Sequence, residues 1–392
     1  MTMYSPLRHI PSIFRKGRPI QLTFFVTRKC NANCPWCFYL RSADGAAGDG
    51  EDLSLDEIRR ISRSLGRLLW VAFSGGEVFL HDGLVEMSAI FHDQNRPPIM
   101  LFPTNGLLPE VIRDQTERIL LRCPKSVIVV KVSVDGLNGA HDALRESPGG
   151  FDKAMETYRL LGDLLDRYPN LELGINTVFF SENQHRMDEI IDFVAGLAPQ
   201  GTHTISMVRG NLLEERYKTV DVEKYRRAID RLEHNLRNRT ANIHKFAGAR
   251  LKAAQDILQR RLIHRTLIEG RRLVPCYSGR LSLVLTESGE VYPCEILTTS
   301  FGNVRDHGCD MGKMLRSKQA KEVLKPIMAS ACHCTHECHF IMNILFNPRL
   351  YPALLKEYLN ISGIRPAPAV APASPDEKAS CPSTAKTGSA GP

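Results

Sequence analysis

Cys30, Cys34 and Cys37 stand in the stretch Thr27-Arg28-Lys29-Cys30-Asn31-Ala32-Asn33-Cys34-Pro35-Trp36-Cys37-Phe38. The C-x3-C-x2-C spacing gathers three thiols into one eight-residue loop. Three thiolates hold three irons of a [4Fe–4S] cube and leave the fourth iron without a protein ligand, open to a substrate or cosubstrate. Four cysteines close the cube, as a pure electron-transfer centre requires. The other chemistry open to such a loop is tetrahedral zinc.

Cys276, Cys294, Cys332, Cys334 and Cys338 make a second group. Cys276-x17-Cys294 spans a predicted β-hairpin, Leu281–Leu285 and Glu290–Tyr292, turned by Glu287-Ser288-Gly289. Cys332-His333-Cys334-Thr335-His336-Glu337-Cys338-His339 is expected to fold back and complete the site. Four ligands close a cube, so one of the five is surplus, and Cys332 is the expected odd one out. His333, His336 and His339 beside the thiols keep zinc open here as well. Cys123 and Cys309 have no partners in sequence and read as buried thiols.

The elements that must position these residues alternate. Strands are predicted at Gln21–Thr27, Leu69–Phe73, Ile99–Phe102, Val127–Val134, Leu171–Phe179 and His203–Val208, all short and apolar. Helices are predicted at Ser54–Gly66, Gly83–Asp93, Glu110–Leu121, Asp152–Arg167 and Arg186–Gly196, the first opening with a Ser54/Glu57 capping box. Six β–α units predict a parallel sheet, too short for an eightfold barrel. The polar and glycine-rich motifs fall at the strand ends, where barrels of this kind place chemistry. The cysteine loop follows the first strand, Gly75-Gly76-Glu77 the second, and Thr104-Asn105-Gly106 the third. Ser133 and Asp135 close the fourth strand, alternating towards one face. Asn176 lies in the fifth, and Arg209 ends the sixth.

These motifs resemble the radical SAM superfamily, whose signature is C-x3-C-x-aromatic-C, with Trp36 in the aromatic position. The resemblance covers residues 21–209 and about 274–346. It implies an α/β fold: a partial (β/α)6 TIM-like barrel open on one side, with a small C-terminal domain. It also implies S-adenosylmethionine (SAM) chelated at the open iron and cleaved by one electron to methionine and a 5′-deoxyadenosyl radical. An external donor such as flavodoxin or ferredoxin would supply that electron. Gly75, Gly76 and Glu77 match the family's site for the methionyl amino group. Trp36, Asn105, Ser133, Asp135, Arg145 and Asn176 are the other candidate cofactor-binding residues, Arg145 being equally readable as a structural arginine. Gly289-Glu-Val-Tyr-Pro-Cys294 matches the G-x4-C element of SPASM and Twitch domains. Five cysteines suit the Twitch-like form with one auxiliary [4Fe–4S] cluster, and the metal ligands are then drawn from Cys276, Cys294, Cys332, Cys334 and Cys338.

With 392 residues, 43% hydrophobic and 24% charged, the chain has the make-up of a globular enzyme. No apolar run reaches membrane-spanning length, and no secretory signal is evident, so a reducing cytoplasm is expected, as the clustered cysteines also argue. The expected division is an N-terminal extension over 1–20, a barrel over 21–209, a basic helical linker over 210–273, the auxiliary domain over 274–346, a helical segment over 347–364 and a disordered tail over 365–392. Residues 209–272 hold 17 Lys and Arg against 8 Asp and Glu. That stretch reads either as a solvated face with pairs such as Glu223–Arg227, or as a contact for an anionic partner. Nucleic acid is not an expected partner. The leading expectation is hydrogen abstraction from a small-molecule biosynthetic substrate, anionic if the basic stretch faces it. The alternatives are a ribosomal-peptide maturase and a non-enzymatic metal-binding protein.

Overall fold

A computed structural model describes residues 3–41, 51–238, 240–246, 248–329 and 332–361; the expected disordered tail lies outside them. Nine strands form one sheet: β1 (Gln21–Phe25), β2 (Trp70–Ser74), β3 (Ile99–Thr104), β4 (Val127–Ser133), β5 (Leu171–Phe179), β6 (Thr202–Met207), β7 (Ser282–Leu285), β8 (Glu290–Tyr292) and β9 (Gly302–Asn303). Their order is β6-β5-β4-β3-β2-β1-β7-β8-β9. Strands β1 to β6 pair in parallel, each with the next, so all six C-terminal ends share one rim. The intervening helices are α1 (Leu55–Leu65), α2 (Leu84–Asn95), α3 (Pro109–Arg122), α4 (Gly139–Arg145), α5 (Gly150–Gly162) and α6 (Met187–Ala195). The six predicted units are all present, and the capping box of α1 forms, Ser54 and Glu57 each bonding the other's backbone.

Phe24, Phe73, Phe91 and Phe102 fill the layer between strands β1–β3 and helix α2, Phe73 and Phe102 stacked with centroids 4.8 Å apart. At roughly 1.5–3 kcal/mol per buried large apolar side chain, this layer supplies much of what holds the barrel wall.

The C-terminal unit continues the sheet of the barrel. The predicted hairpin forms as β7 and β8, but β7 also pairs in parallel with β1, matching Gln21–Phe24 to Ser282–Leu285. Helices α7 (Val222–Arg237) and α8 (Ala249–Glu269) follow β6. After β9 come α9 (Met311–Leu315), α10 (Lys318–Met328), α11 (Glu337–Leu345) and α12 (Tyr351–Asn360). The cations of α7 and α8 are largely answered by the chain's own carboxylates. Arg226 meets Glu223 and Asp230, Arg231 meets Asp192, Arg237 and Arg261 meet Glu233 and Glu357, and Arg265 meets Glu269. The solvated-face reading therefore holds, with Glu223 paired to Arg226 rather than to Arg227. Among the described residues, no helix is long and apolar enough to cross a membrane.

Candidate active site between two cysteine loops

The first cysteine loop leaves β1 and is fixed from three sides. Gly76 N–H donates to Thr27 O and Glu77 N–H to Lys29 O, both at 2.8 Å. A Cβ on Gly75 would lie 2.4 Å from Thr27 O, and one on Gly76 2.1 Å from Lys29 O. Only glycine lets the end of β2 dock this closely on the loop, and Gly75 also holds φ at +131°. Asn105, at the end of β3, donates to Asn31 Oδ1 at 2.7 Å and lies 3.8 Å from Cys30 Sγ. Asn33 N–H donates to Arg145 O at the end of α4.

Glu77 is fully buried and spends its carboxylate inside the protein. Oε1 accepts from Phe79 N–H and the Thr104 hydroxyl, and Oε2 from Asn105 N–H at 2.7 Å. Burial pushes its carboxyl up to about 7, and these hydrogen bonds partly oppose the rise. The folded protein thus keeps a proton that the unfolded chain has already released. The stability this contributes is full below about pH 4.5 and is lost as pH rises to about 7, by roughly 3 kcal/mol. Glu77→Gln is expected to flatten the fall in unfolding free energy across that window; an unchanged slope would assign the fall to another group.

Asp135 lies beyond the end of β4 and turns away from the wall that the sequence placed it on. Oδ2 takes Nε and Nη2 of Arg145, both at 2.7 Å, and Oδ1 accepts Val178 N–H at 2.7 Å. Both oxygens have protein partners, because α4 carries Arg145 back over the strand end. Arg145 is the structural half of a buried pair, and its guanidinium stacks 5.6 Å over the Trp36 ring. Trp36 also packs on Phe180, just beyond β5. Ser133 and Asn176 do stay together, as register neighbours on β4 and β5, with Asn176 Oδ1 accepting from Ser206.

The second group assembles around β7 and β8. Cys276 precedes β7, Cys294 follows β8, and His339 and Asn343 of α11 tie that helix to the Cys276 turn, through Ser278 and through Tyr277 N–H. Burial pushes the Cys294 thiol up to about 12, with Cys334 and Cys276 adding to the rise. Cys334 rises to about 11, with Cys276 and Cys332 adding. Arg272 fixes Cys332, donating to its carbonyl at 2.8 Å and its Sγ at 3.1 Å. The first turn of α11 takes Cys338 elsewhere: its Sγ, a His336 ring nitrogen and a Glu295 oxygen all lie within 4.8 Å of one another. Cys338 thus sits with His336 and Glu295, while Cys332 is held by Arg272. Cys123 and Cys309 are buried thiols, as expected.

A cavity of about 70 Å³ lies where the two loops meet, lined by Phe25, Phe38, Tyr39, Tyr292, Cys294, Glu295, Ile296 and Leu297 among others. Its described lining includes no lysine or arginine. Tyr39 stacks on Phe25 and donates its hydroxyl to Glu287, next to the β7–β8 turn. Phe38, Tyr39, Glu287 and Glu295 were not picked out by the sequence reading. Their only signal was adjacency to the cysteine motifs and to the hairpin turn.

Residues 24–194 match the Radical SAM superfamily, and residues 276–339 match SPASM, an iron–sulfur cluster-binding domain. The chain belongs to the radical SAM superfamily and carries a SPASM domain. It is 26% identical over 297 residues to the antilisterial bacteriocin subtilosin biosynthesis protein AlbA of Bacillus subtilis, covering 73% of this chain and 57% of that protein. The chain thus spans little more than half the length of that relative. It is 22% identical to the sporulation killing factor maturation protein SkfB of the same organism, over 80% of this chain and 69% of that one. It is 23% identical to the AdoMet-dependent heme synthase of Methanosarcina barkeri, over 74% and 80%. The fold is shared with native anSMEcpe with bound AdoMet and Cp18Cys peptide, at TM-score 0.55 and 18% identity over 88% of this chain and 99% of that chain. It is also shared with Streptococcus suis SuiB bound to S-adenosylmethionine, at TM-score 0.53 and 15% identity over 86% and 74%.

This radical SAM protein is accordingly an enzyme that uses SAM, a [4Fe–4S] cluster and iron–sulfur in its SPASM domain. The residues present fit those groups. The first loop presents backbone N–H groups of Ala32 and Leu40 to the sulfurs of Cys30 and Cys37, at 3.5 and 3.4 Å, and Leu297 N–H lies 3.4 Å from Cys294 Sγ. Such N–H···S contacts suit thiolates. Burial pushes the Cys34 thiol up to about 11, a rise that a bound cation would oppose.

Proposed function

We propose that this enzyme removes a hydrogen atom from a small organic substrate whose reacting group enters the cavity between Phe38–Tyr39 and the Cys294–Leu297 loop. Cys30, Cys34 and Cys37 would hold the SAM-binding cluster. Cys276, Cys294, Cys332 and Cys334 would hold one auxiliary cluster. When bound, the first cluster and SAM supply a 5′-deoxyadenosyl radical, given an electron from an external donor. The chain's part is to bind, orient and exclude water. Gly75 and Gly76 fix the loop, Ser133 and Asn176 offer hydroxyl and amide groups at the rim, and the aromatic lining of the cavity shields the reacting carbon.

The observation that carries this reading is the cavity itself, bounded by both cysteine loops and lined by Phe25, Phe38, Tyr39 and Tyr292. A lining without lysine or arginine, together with the internally paired cations of α7 and α8, favours an uncharged or apolar target over an anionic one. The second reading, peptide maturation, is supported by the names of the two Bacillus subtilis relatives.

Deuterium transfer separates the two. Reconstituted enzyme, SAM and dithionite are incubated with size-fractionated extract from cells grown in deuterated medium, and the 5′-deoxyadenosine is analysed by mass spectrometry. Label from the small-molecule fraction supports the first reading. Label from the peptide fraction alone overturns it in favour of the second.

A further inference from the structure

Two residues beyond β6, Arg209 reaches across the opening of the barrel. Its guanidinium stacks 5.0 Å over the ring of Phe38, the residue after Cys37. Its Nε and Nη2 donate to Oε2 of Glu295, the residue after Cys294, at 3.2 and 3.0 Å. Nη1 lies 4.0 Å from Oε2 of Glu337, in the first turn of α11. The stack depends on the next residue: Gly210 holds φ at +83°, and a Cβ there would lie 2.5 Å from Phe38 Cβ. Glu295 is shared with His336, whose Nε2 is 3.0 Å from the same oxygen and whose ring is fully buried. One cation therefore touches the immediate neighbours of a cysteine in each loop, and it answers a carboxylate that would otherwise lie buried against the second group.

We propose that Arg209 is a positioning residue for the auxiliary site, holding the Cys294–Glu295 loop against the Phe38 side of the cavity and setting the local charge there together with Glu295. This rests on the reading that the second cysteine group holds an iron–sulfur cluster. In a buried setting a nearby cation favours the reduced, more negative state of a redox centre, and a nearby anion favours the oxidised state. Arg209 and Glu295 must then act on the auxiliary cluster with opposite sign, which a purely structural pair would not do.

The test is a redox titration of the full-length reconstituted enzyme, followed by electron paramagnetic resonance, on wild type, Arg209→Gln, Arg209→Lys and Glu295→Gln. Arg209→Gln is expected to lower the midpoint potential of the auxiliary cluster and Glu295→Gln to raise it. Arg209→Lys, which keeps the charge but not the fork, should stay nearest to wild type. Shifts of the same sign in the two glutamine variants, or none in either, overturn the proposal. If Arg209→Gln does not fold, Glu295→Gln still decides, since an unraised midpoint sinks the idea. A wild-type protein holding only about four irons would instead overturn the cluster reading beneath it.

Discussion

Alanine at Cys30, Cys34 and Cys37 together is expected to abolish reductive cleavage of SAM while the second cysteine group keeps its iron. The cysteines of the two groups are held by different elements. The first loop hangs from β1 and is held by the ends of β2 and β3 through Gly76, Glu77 and Asn105. The second is held by the β7–β8 hairpin, by Arg272 and by the anchor of α11 on the Cys276 turn. Nothing in the second set touches Cys30, Cys34 or Cys37 through a hydrogen bond among the described residues, so its assembly should survive. Iron and sulfide counts should fall from about eight to about four per chain, and 5′-deoxyadenosine should drop to background. Cleavage that persisted in the triple variant would place SAM elsewhere.

The second large effect is expected at Arg145. Asp135 is fully buried, and Arg145 supplies two of its three hydrogen bonds. Arg145→Ala leaves a buried carboxylate with one backbone N–H, a change that costs about 3–5 kcal/mol. It also removes the cation over Trp36 and loosens α4, whose last carbonyl holds Asn33 of the cysteine loop. Chemical denaturation should show the loss directly, and the fluorescence of Trp36 should shift in the folded variant. Arg145→Lys should recover only part of the stability, because an ammonium cannot reproduce the paired geometry. A loss below about 1 kcal/mol for Arg145→Ala would mean that water reaches Asp135.

The legibility of the site follows the range of the interactions that make it. The loop cysteines, the glycine pair and the strand-end order are local, written as adjacent residues after apolar runs, and they appear where the sequence put them. The partner of Asp135 was not legible because it is set by α4, a helix of seven residues without a strong periodic signal. The surroundings of Cys332 and Cys338 were hidden for a similar reason. Arg272, 60 residues earlier, draws one in, and the start of α11 carries the other towards β6. The parallel pairing of β1 with β7 joins segments about 260 positions apart and leaves no local mark, so the sharing of one sheet between barrel and C-terminal domain could not be read from sequence. The basic stretch left two readings open, since counting charges along a chain says nothing about which carboxylates fold onto them.

That shared sheet has a bearing on how the protein tolerates being cut. On one flank of the barrel, β1 gives its outward hydrogen-bonding groups to β7. On the other, β6 ends with Met207 N–H donating to the Glu337 carboxylate of α11 at 2.8 Å, a side chain standing in for a missing strand. The same C-terminal segment thus covers the β1 edge along its length and ties down the end of β6, leaving β6 and the two-residue β9 as the edges of the sheet. Removing everything after β6 would bare β1, with the apolar run Leu22–Phe25, and naked edges of that kind recruit other chains. An excised barrel should precipitate or self-associate although every residue of its wall is intact.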